Sequence, residues 1–268
     1  MKVNSKIAFI GAGFMAGAMI DGILSGDVAD KANIYVINEA FPNLAAEAAE
    51  KYGVNHGKPS DIADCEIVVF GVKPQVFPEA VEMYGEYFTS DKLYLSIMAG
   101  ISTETLEEAT HLGRVVRLMP NMPLSVRQSS TVYVLGKNCG EAEAEVTEAM
   151  FAPLGIIKRV EENMISAVTA LSGSGPAYFC RLTEAMAKAA VELGMDESLA
   201  HELAVQTLIG TAETIKETGV DPATLRIRVT SKKGTTEAAL NAMTDTGFDE
   251  SVAAALVAAR MRSDELGK

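Results

Sequence analysis

Apolar residues run in short unbroken blocks through the first 160 positions and then change to helical spacing. Lys6 to Ile10, Asn33 to Ile37, Glu66 to Gly71, Leu93 to Met98, Arg114 to Met119, Thr131 to Leu135 and Ile156 to Val160 are strand-length and rich in Val, Ile and Leu. Blocks without in-out alternation predict strands covered on both faces, as in a parallel sheet. Helix-compatible segments lie between them, among them Met15 to Leu24, Pro42 to Tyr52 and Glu141 to Phe151. Strands alternating with helices imply a parallel, doubly wound α/β sheet, with antiparallel additions open to the later, closely spaced strands.

After about Glu161 the strand pattern stops, and Ala, Leu, Glu and Met recur at helical spacing. The chain is therefore expected to divide into a sheet domain, residues 1–160, and an all-α domain, residues 161–268. Gly194 is placed to cap a helix running from near Pro176. Gly219 with Asp221-Pro222 ends the next helix, and Gly247 precedes a final one starting near Asp249. Val252 to Ala259 carries no charge, and helices so apolar in a small bundle imply burial in an oligomer.

Charge narrows the partners. Lys plus Arg number 23 against 36 Asp plus Glu, a net −13 at pH 7 that repels phosphate backbones and anionic lipid. Neither nucleic acid nor a membrane is an expected partner. Lys2 and Lys6 before the apolar stretch Ile7 to Ile20 imitate a secretion signal, but Gly11, Gly13 and Gly17 interrupt it and fit a strand, a glycine turn and a helix better. A cytoplasmic protein is expected. Cys65, Cys139 and Cys180 are far apart and read as buried thiols in a reducing compartment, and His56, His111 and His201 are equally scattered, so no metal site is expected.

The segment Gly11-Ala12-Gly13-Phe14-Met15-Ala16 follows a strand and opens a helix, the context a dinucleotide fingerprint requires. Gly11 permits the tight turn, Gly13 lets backbone approach a pyrophosphate, Ala16 allows close helix-strand packing, and the helix N-terminus offers free N–H groups. At the end of the second strand stands Asn38, whose amide suits a ribose hydroxyl or tolerates a phosphate. Glu39 beside it could bind a ribose diol, repel a 2′-phosphate or stay solvated, and no Arg follows. NAD and NADP both remain open. Val72-Lys73-Pro74-Gln75 and Met119-Pro120-Asn121-Met122-Pro123 also follow strands; Lys73 is either a ligand contact or a surface lysine, and Asn121 either a rigidly presented amide or a turn residue.

In the helical half, Val229-Thr230-Ser231-Lys232-Lys233-Gly234-Thr235-Thr236-Glu237 leads into an apolar helix. Unpaired N–H groups and hydroxyls there could receive a small carboxylate, or the segment could be an ordinary threonine cap. Ala170-Leu171-Ser172-Gly173-Ser174-Gly175-Pro176-Ala177-Tyr178 permits close backbone approach to a ligand or to another helix.

Together these motifs resemble the pyrroline-5-carboxylate reductases over essentially the whole chain. G-A-G-F-M-A, V-K-P-Q, M-P-N-M-P, V-T-A-L-S-G-S-G-P-A-Y and V-T-S-K-K-G-T-T stand in the family's order and spacing. The resemblance implies a Rossmann domain followed by a helical domain that binds substrate and dimerises, with dimers able to form larger rings. It implies reduction of Δ1-pyrroline-5-carboxylate to L-proline by NADPH or NADH, the last step of proline biosynthesis. By position it implies that Ser231, Gly234 and Thr235 hold the substrate carboxylate and that Thr236 sets its hydroxyl on the ring nitrogen. Gly11, Ala12, Gly13, Phe14, Met15, Ala16, Asn38, Val72, Lys73, Pro74, Ala99 and Gly100 match the family's cofactor contacts. The chain departs at Met122, often Thr in the family, and at Lys232-Lys233, more usually Pro-Gly. Two alternatives compete: a reductase of another imino or keto acid, with Lys188 as its mid-helix lysine, and a non-catalytic dinucleotide sensor.

Overall fold

The computed structural model describes residues 2–267. Among them eight strands form one sheet: β1 (Ile7–Ile10), β2 (Ile34–Ile37), β3 (Asn55–His56), β4 (Ile67–Phe70), β5 (Leu93–Ser96), β6 (Arg114–Met119), β7 (Ser129–Leu135) and β8 (Gly155–Arg159). Their order is β3-β2-β1-β4-β5-β6-β7-β8. Neighbours through β6 are parallel, β7 is antiparallel to β6, and β8 is parallel to β7. The Pro120–Gln128 connection is too short for a parallel crossover, so β7 has to turn back on β6.

The chain divides into two compact units, residues 1–173 with 259–268, and residues 174–258. The first contains the sheet and its covering helices α1 (Phe14–Ser25), α2 (Pro42–Tyr52), α3 (Phe77–Tyr84), α4 (Thr103–Ala109), α5 (Glu141–Phe151) and α6 (Ile165–Val168). Every residue of β1 is buried, and consecutive residues serve opposite faces. Ile7 and Phe9 join a cluster with Met19, Ile20 and Ile23 of α1, whereas Ala8 and Ile10 join another with Phe70, Tyr94 and Phe88. Phe70 stacks on Tyr94 at 5.9 Å and meets Phe77 edge-on at 5.3 Å, which locks α3 to its face of the sheet.

The sequence places the division after residue 160, yet 161–173 packs with the sheet unit. Glu162 pairs with Arg117 of β6 and accepts the Thr103 hydroxyl of α4 at 3.1 Å. Asn121 Nδ2 donates to the Ser172 carbonyl at 3.0 Å, within a π-helical turn, Thr169–Gly173. Gly173 leaves room for Met119: a side chain there would begin 2.7 Å from the Met119 methyl.

The second unit is helical, built from α7 (Gly175–Glu192), α8 (Glu197–Thr218), α9 (Pro222–Arg228), α10 (Thr235–Asp245) and the start of α11 (Phe248–Leu266). Local chemistry sets the ends. Asp196 and Asp221 cap α8 and α9 by accepting the N–H of Leu199 (3.1 Å) and Thr224 (3.0 Å), and Gly219 closes α8 in the left-handed conformation at φ +65°. Of residues 174–258 only Gly175 and Ala200 are buried within this chain. Cys180, expected as a buried thiol, is exposed, in company with Phe179 and Met186 of the same helix. Its apolar surroundings are a surface that this chain alone does not cover. Cys65 is buried and Cys139 half-buried, and burial pushes both thiols up to about 11, so neither is a thiolate at neutral pH. Among the described residues no helix is long and apolar enough to cross a membrane.

Candidate active site

β1 ends where the sheet changes direction, with β2 on one side and β4 on the other. Such a switch point leaves a crevice beyond the strand ends, where ligands bind in open parallel sheets. Gly11 lies in this crevice at φ +105°, its N–H donating to the Ile37 carbonyl at 2.8 Å, while the Gly71 N–H donates to Ile10 at 2.9 Å. A side chain on Gly11 would begin 2.9 Å from the Gly71 carbonyl group. Gly13 then caps α1 in extended conformation, with no side-chain cap and no acidic residue in the first turn. The N–H groups of Phe14, Met15 and Ala16 are therefore unspent and carry the positive end of a 12-residue helix. Ala16 fits because Gly71 stands opposite: a side chain at Gly71 would begin 2.9 Å from the Ala16 methyl. A cavity of about 470 Å³ opens beside this turn, lined by Ala12, Gly13, Phe14 and, from α2, Leu44, Lys51 and Tyr52.

The remaining candidate cofactor residues follow the carboxyl ends of β2, β4 and β5. Asn38 spends its Oδ1 on the Phe41 N–H at 3.1 Å, which folds Asn38–Phe41 into a tight turn. The Glu39 N–H donates to the Tyr84 hydroxyl at 2.9 Å; Tyr84 is buried, which raises its phenol above the ordinary range. Val72 is half-buried, Lys73 is exposed, and Pro74 opens the turn into α3. Ala99 is exposed and Gly100 takes φ +79°, where a side chain would begin 2.9 Å from the Leu266 carbonyl in the last turn of α11. Gly100 is thus required by packing against the C-terminal turn.

In the helical unit the Gly234 N–H donates to the Ser231 carbonyl at 3.0 Å, closing a turn over Ser231–Gly234 immediately before α10. Gly234 caps α10 without a side chain, and Ser231 Oγ fills the space a Gly234 side chain would need, 2.3 Å from its first carbon. Ser231 Oγ therefore lies at an uncapped helix N-terminus whose first two residues are Thr235 and Thr236, a setting that suits a small carboxylate.

Residues 162–266 match the family described as pyrroline-5-carboxylate reductase dimerisation, and residues 6–100 match the family described as NADP oxidoreductase coenzyme F420-dependent. Pyrroline-5-carboxylate reductase 1 of Bacillus spizizenii is 36% identical over 266 residues, covering 98% of this chain and 90% of the relative. The chain belongs to the pyrroline-5-carboxylate reductase family. Among solved structures, the pyrroline-5-carboxylate reductase of Coxiella burnetii is 32% identical with a TM-score of 0.91, covering 99% of this chain and 100% of that one. The Plasmodium falciparum pyrroline carboxylate reductase, solved with NADP bound, is 28% identical with a TM-score of 0.86, covering 100% of both chains.

Within this reductase two residues have roles the sequence does not reveal. Asn121 is an internal lock: its Oδ1 accepts the Ser129 hydroxyl (3.1 Å) and the Ser130 N–H (3.0 Å), while its Nδ2 holds Ser172. Glu162 joins β6, α4 and the segment leading to α6, and its Arg117 partner is buried. Asn121 stands in the M-P-N-M-P motif, but its bond to Ser172 spans 51 residues and the Glu162 bond to Thr103 spans 59, so neither contact has a local sign. Lys188 lies exposed on α7 beside Arg181, Glu184 and Glu192, a solvated charged face.

The Asn38–Phe41 turn contains no cation that could meet a 2′-phosphate. Glu39→Arg is expected to raise the NADPH to NADH ratio of kcat/KM by about tenfold, about 1.4 kcal/mol. An unchanged ratio from paired initial rates means that Glu39 faces solvent and does not read the ribose.

Proposed function

We propose that this chain reduces Δ1-pyrroline-5-carboxylate to L-proline with NADPH or NADH, in the cytoplasm, as the last step of proline biosynthesis. The observation that carries this reading is a pair of uncapped helix N-termini behind glycines, one in each unit, at α1 and α10. Residues 1–160 bind the dinucleotide, and residues 161–268 bind the substrate and dimerise. The glycine turn fits a pyrophosphate, because the free N–H groups of α1 can receive an anion, and any side chain at Gly11 would collide with the Gly71–Val72 backbone and force the turn open. Gly11 through Ala16 receive the pyrophosphate, Asn38 the ribose, and Val72, Lys73, Pro74, Ala99 and Gly100 the nicotinamide half. Bound there, the nicotinamide supplies hydride to the C=N carbon.

The chain's own residues do the positioning. Ser231 Oγ and the N–H groups of Gly234 and Thr235 hold the carboxylate, and the Thr236 hydroxyl orients the ring nitrogen. A protonated imine is already electrophilic, so no side-chain acid of tuned pKa is called for, and none of the three histidines lies in these motifs. Free Cys65, Cys139 and Cys180 accord with a reducing compartment. The test is turnover: pyrroline-5-carboxylate should drive NADPH and NADH oxidation, whereas a sensor turns over neither and a different reductase prefers another imino or keto acid.

The dimerisation family match makes the protein a homo-oligomer, and the helical unit supplies the surface. Leu193 is 89% exposed, Ile227 68% and Val229 60%, values that imply a partner. Sedimentation should show a dimer or a ring of dimers down to nanomolar concentration; a stable, active monomer there contradicts the assignment.

A further inference from the structure

Lys233 occupies a backbone conformation that lysine seldom adopts. Its φ is +57°, at the third position of the Ser231–Gly234 turn, where glycine or asparagine is the usual occupant. A second contact falls on the same peptide: the Lys233 N–H donates to Glu237 Oε2 at 2.7 Å. Glu237 is the third residue of α10, the position from which a carboxylate commonly reaches back to the cap residue of its own helix. Here it reaches one residue further, to the strained peptide. The link is charge-assisted, and it fixes the peptide that leads from Ser231 and Lys232 into Gly234. Without it the turn has little reason to keep Lys233 left-handed, because the competing right-handed and extended states are open to any lysine.

We infer that Glu237 is a positioning residue for the substrate carboxylate: it holds Lys233 left-handed, and so holds Ser231 Oγ and the Gly234 N–H in place. This rests on the carboxylate reading of the turn given above. Glu237 brings a negative charge close to an anion site, so its presence makes sense through the Lys233 N–H it accepts. A glycine at position 233 would make the tether unnecessary, since glycine is at ease at φ +57°.

The experiment is a double-mutant cycle of Lys233→Gly and Glu237→Ala, with Glu237→Gln alongside, read by steady-state kinetics and thermal unfolding. Glu237→Ala is expected to raise KM for pyrroline-5-carboxylate about tenfold, with kcat and the NADPH KM within about twofold of wild type. Glu237→Gln keeps an acceptor oxygen and should stay within about threefold. Lys233→Gly should be near wild type, and in its background Glu237→Ala should lose most of its effect on both KM and Tm. An unchanged KM in Glu237→Ala, or an equal rise with and without Lys233→Gly, overturns the inference. Gly234→Val separates the two levels: if it leaves KM unchanged, the anchor itself lies elsewhere; if it raises KM while the cycle shows no coupling, only the tether fails.

Discussion

Replacing Gly11 by alanine is expected to cost the protein its cofactor before anything else. The backbone at φ +105° is outside the range that L residues adopt, and its strain is about 1–3 kcal/mol. The new methyl would also lie 2.9 Å from the Gly71 carbonyl carbon and oxygen and 3.0 Å from the Val72 nitrogen, all backbone. No rotamer relieves that contact, so the turns after β1 and β4 must separate, at a further cost of about 1–3 kcal/mol. Both turns belong to the proposed dinucleotide site, and an ångström of displacement at a positioned ligand costs on the order of 100-fold. The expected result is a rise of about 100-fold in the NADPH KM together with a fall in Tm of about 10 °C. A folded Gly11→Ala protein with a wild-type cofactor KM places the dinucleotide somewhere else.

That glycine was legible in the sequence because its requirement is local: a strand, a tight turn and a helix follow one another within residues 7–25. The parallel strands were legible for a related reason. β1 and β4 are buried on both faces, so their every position is apolar and no pattern of exposure interrupts the run. β3 escaped because Asn55-His56 is two polar residues whose strand character comes wholly from pairing with Tyr35 and Val36 of β2. Phe77–Tyr84 and Thr103–Ala109 are short helices of 8 and 7 residues, too brief for a periodicity to declare itself.

Cys180 is exposed for a different reason. Apolar spacing on α7 says that a face is buried in the working molecule, and it does not say whether a neighbour in the same chain or in another covers it. The structure of one chain leaves Phe179, Cys180 and Met186 open, and the dimerisation match accounts for the surplus. Asn121 and Lys233 mark the remaining gap. The partners of Asn121 include Ser172, 51 residues on, and a left-handed lysine carries no compositional sign. Hydrogen bonds between distant segments and backbone strain at ordinary residues are properties of the folded chain, whereas glycines at turns announce themselves.

Gly234→Val is expected to act in the opposite way to Gly11→Ala, abolishing a binding function while sparing the fold. Gly234 sits at φ −88° and ψ 175°, extended backbone that valine adopts readily, so α10 can begin as before. What the substitution cannot keep is Ser231. The first side-chain carbon would lie 2.3 Å from Ser231 Oγ and 3.0 Å from its carbonyl oxygen, so the hydroxyl has to swing away. The branched methyls would then crowd the approach to the N–H groups of the first turn. Losing one hydroxyl donor to a carboxylate and obstructing the rest amounts to about 2 kcal/mol or more, since hydrogen bonds to charged groups are worth roughly 1.5–3 kcal/mol each. KM for pyrroline-5-carboxylate should rise by about 30-fold or more, with Tm and the NADPH KM close to wild type. Because the NADPH KM is the internal control, a parallel loss of both KM values points to a collapsed helical unit. A substrate KM within about twofold of wild type removes the Ser231–Thr236 turn from the active site altogether.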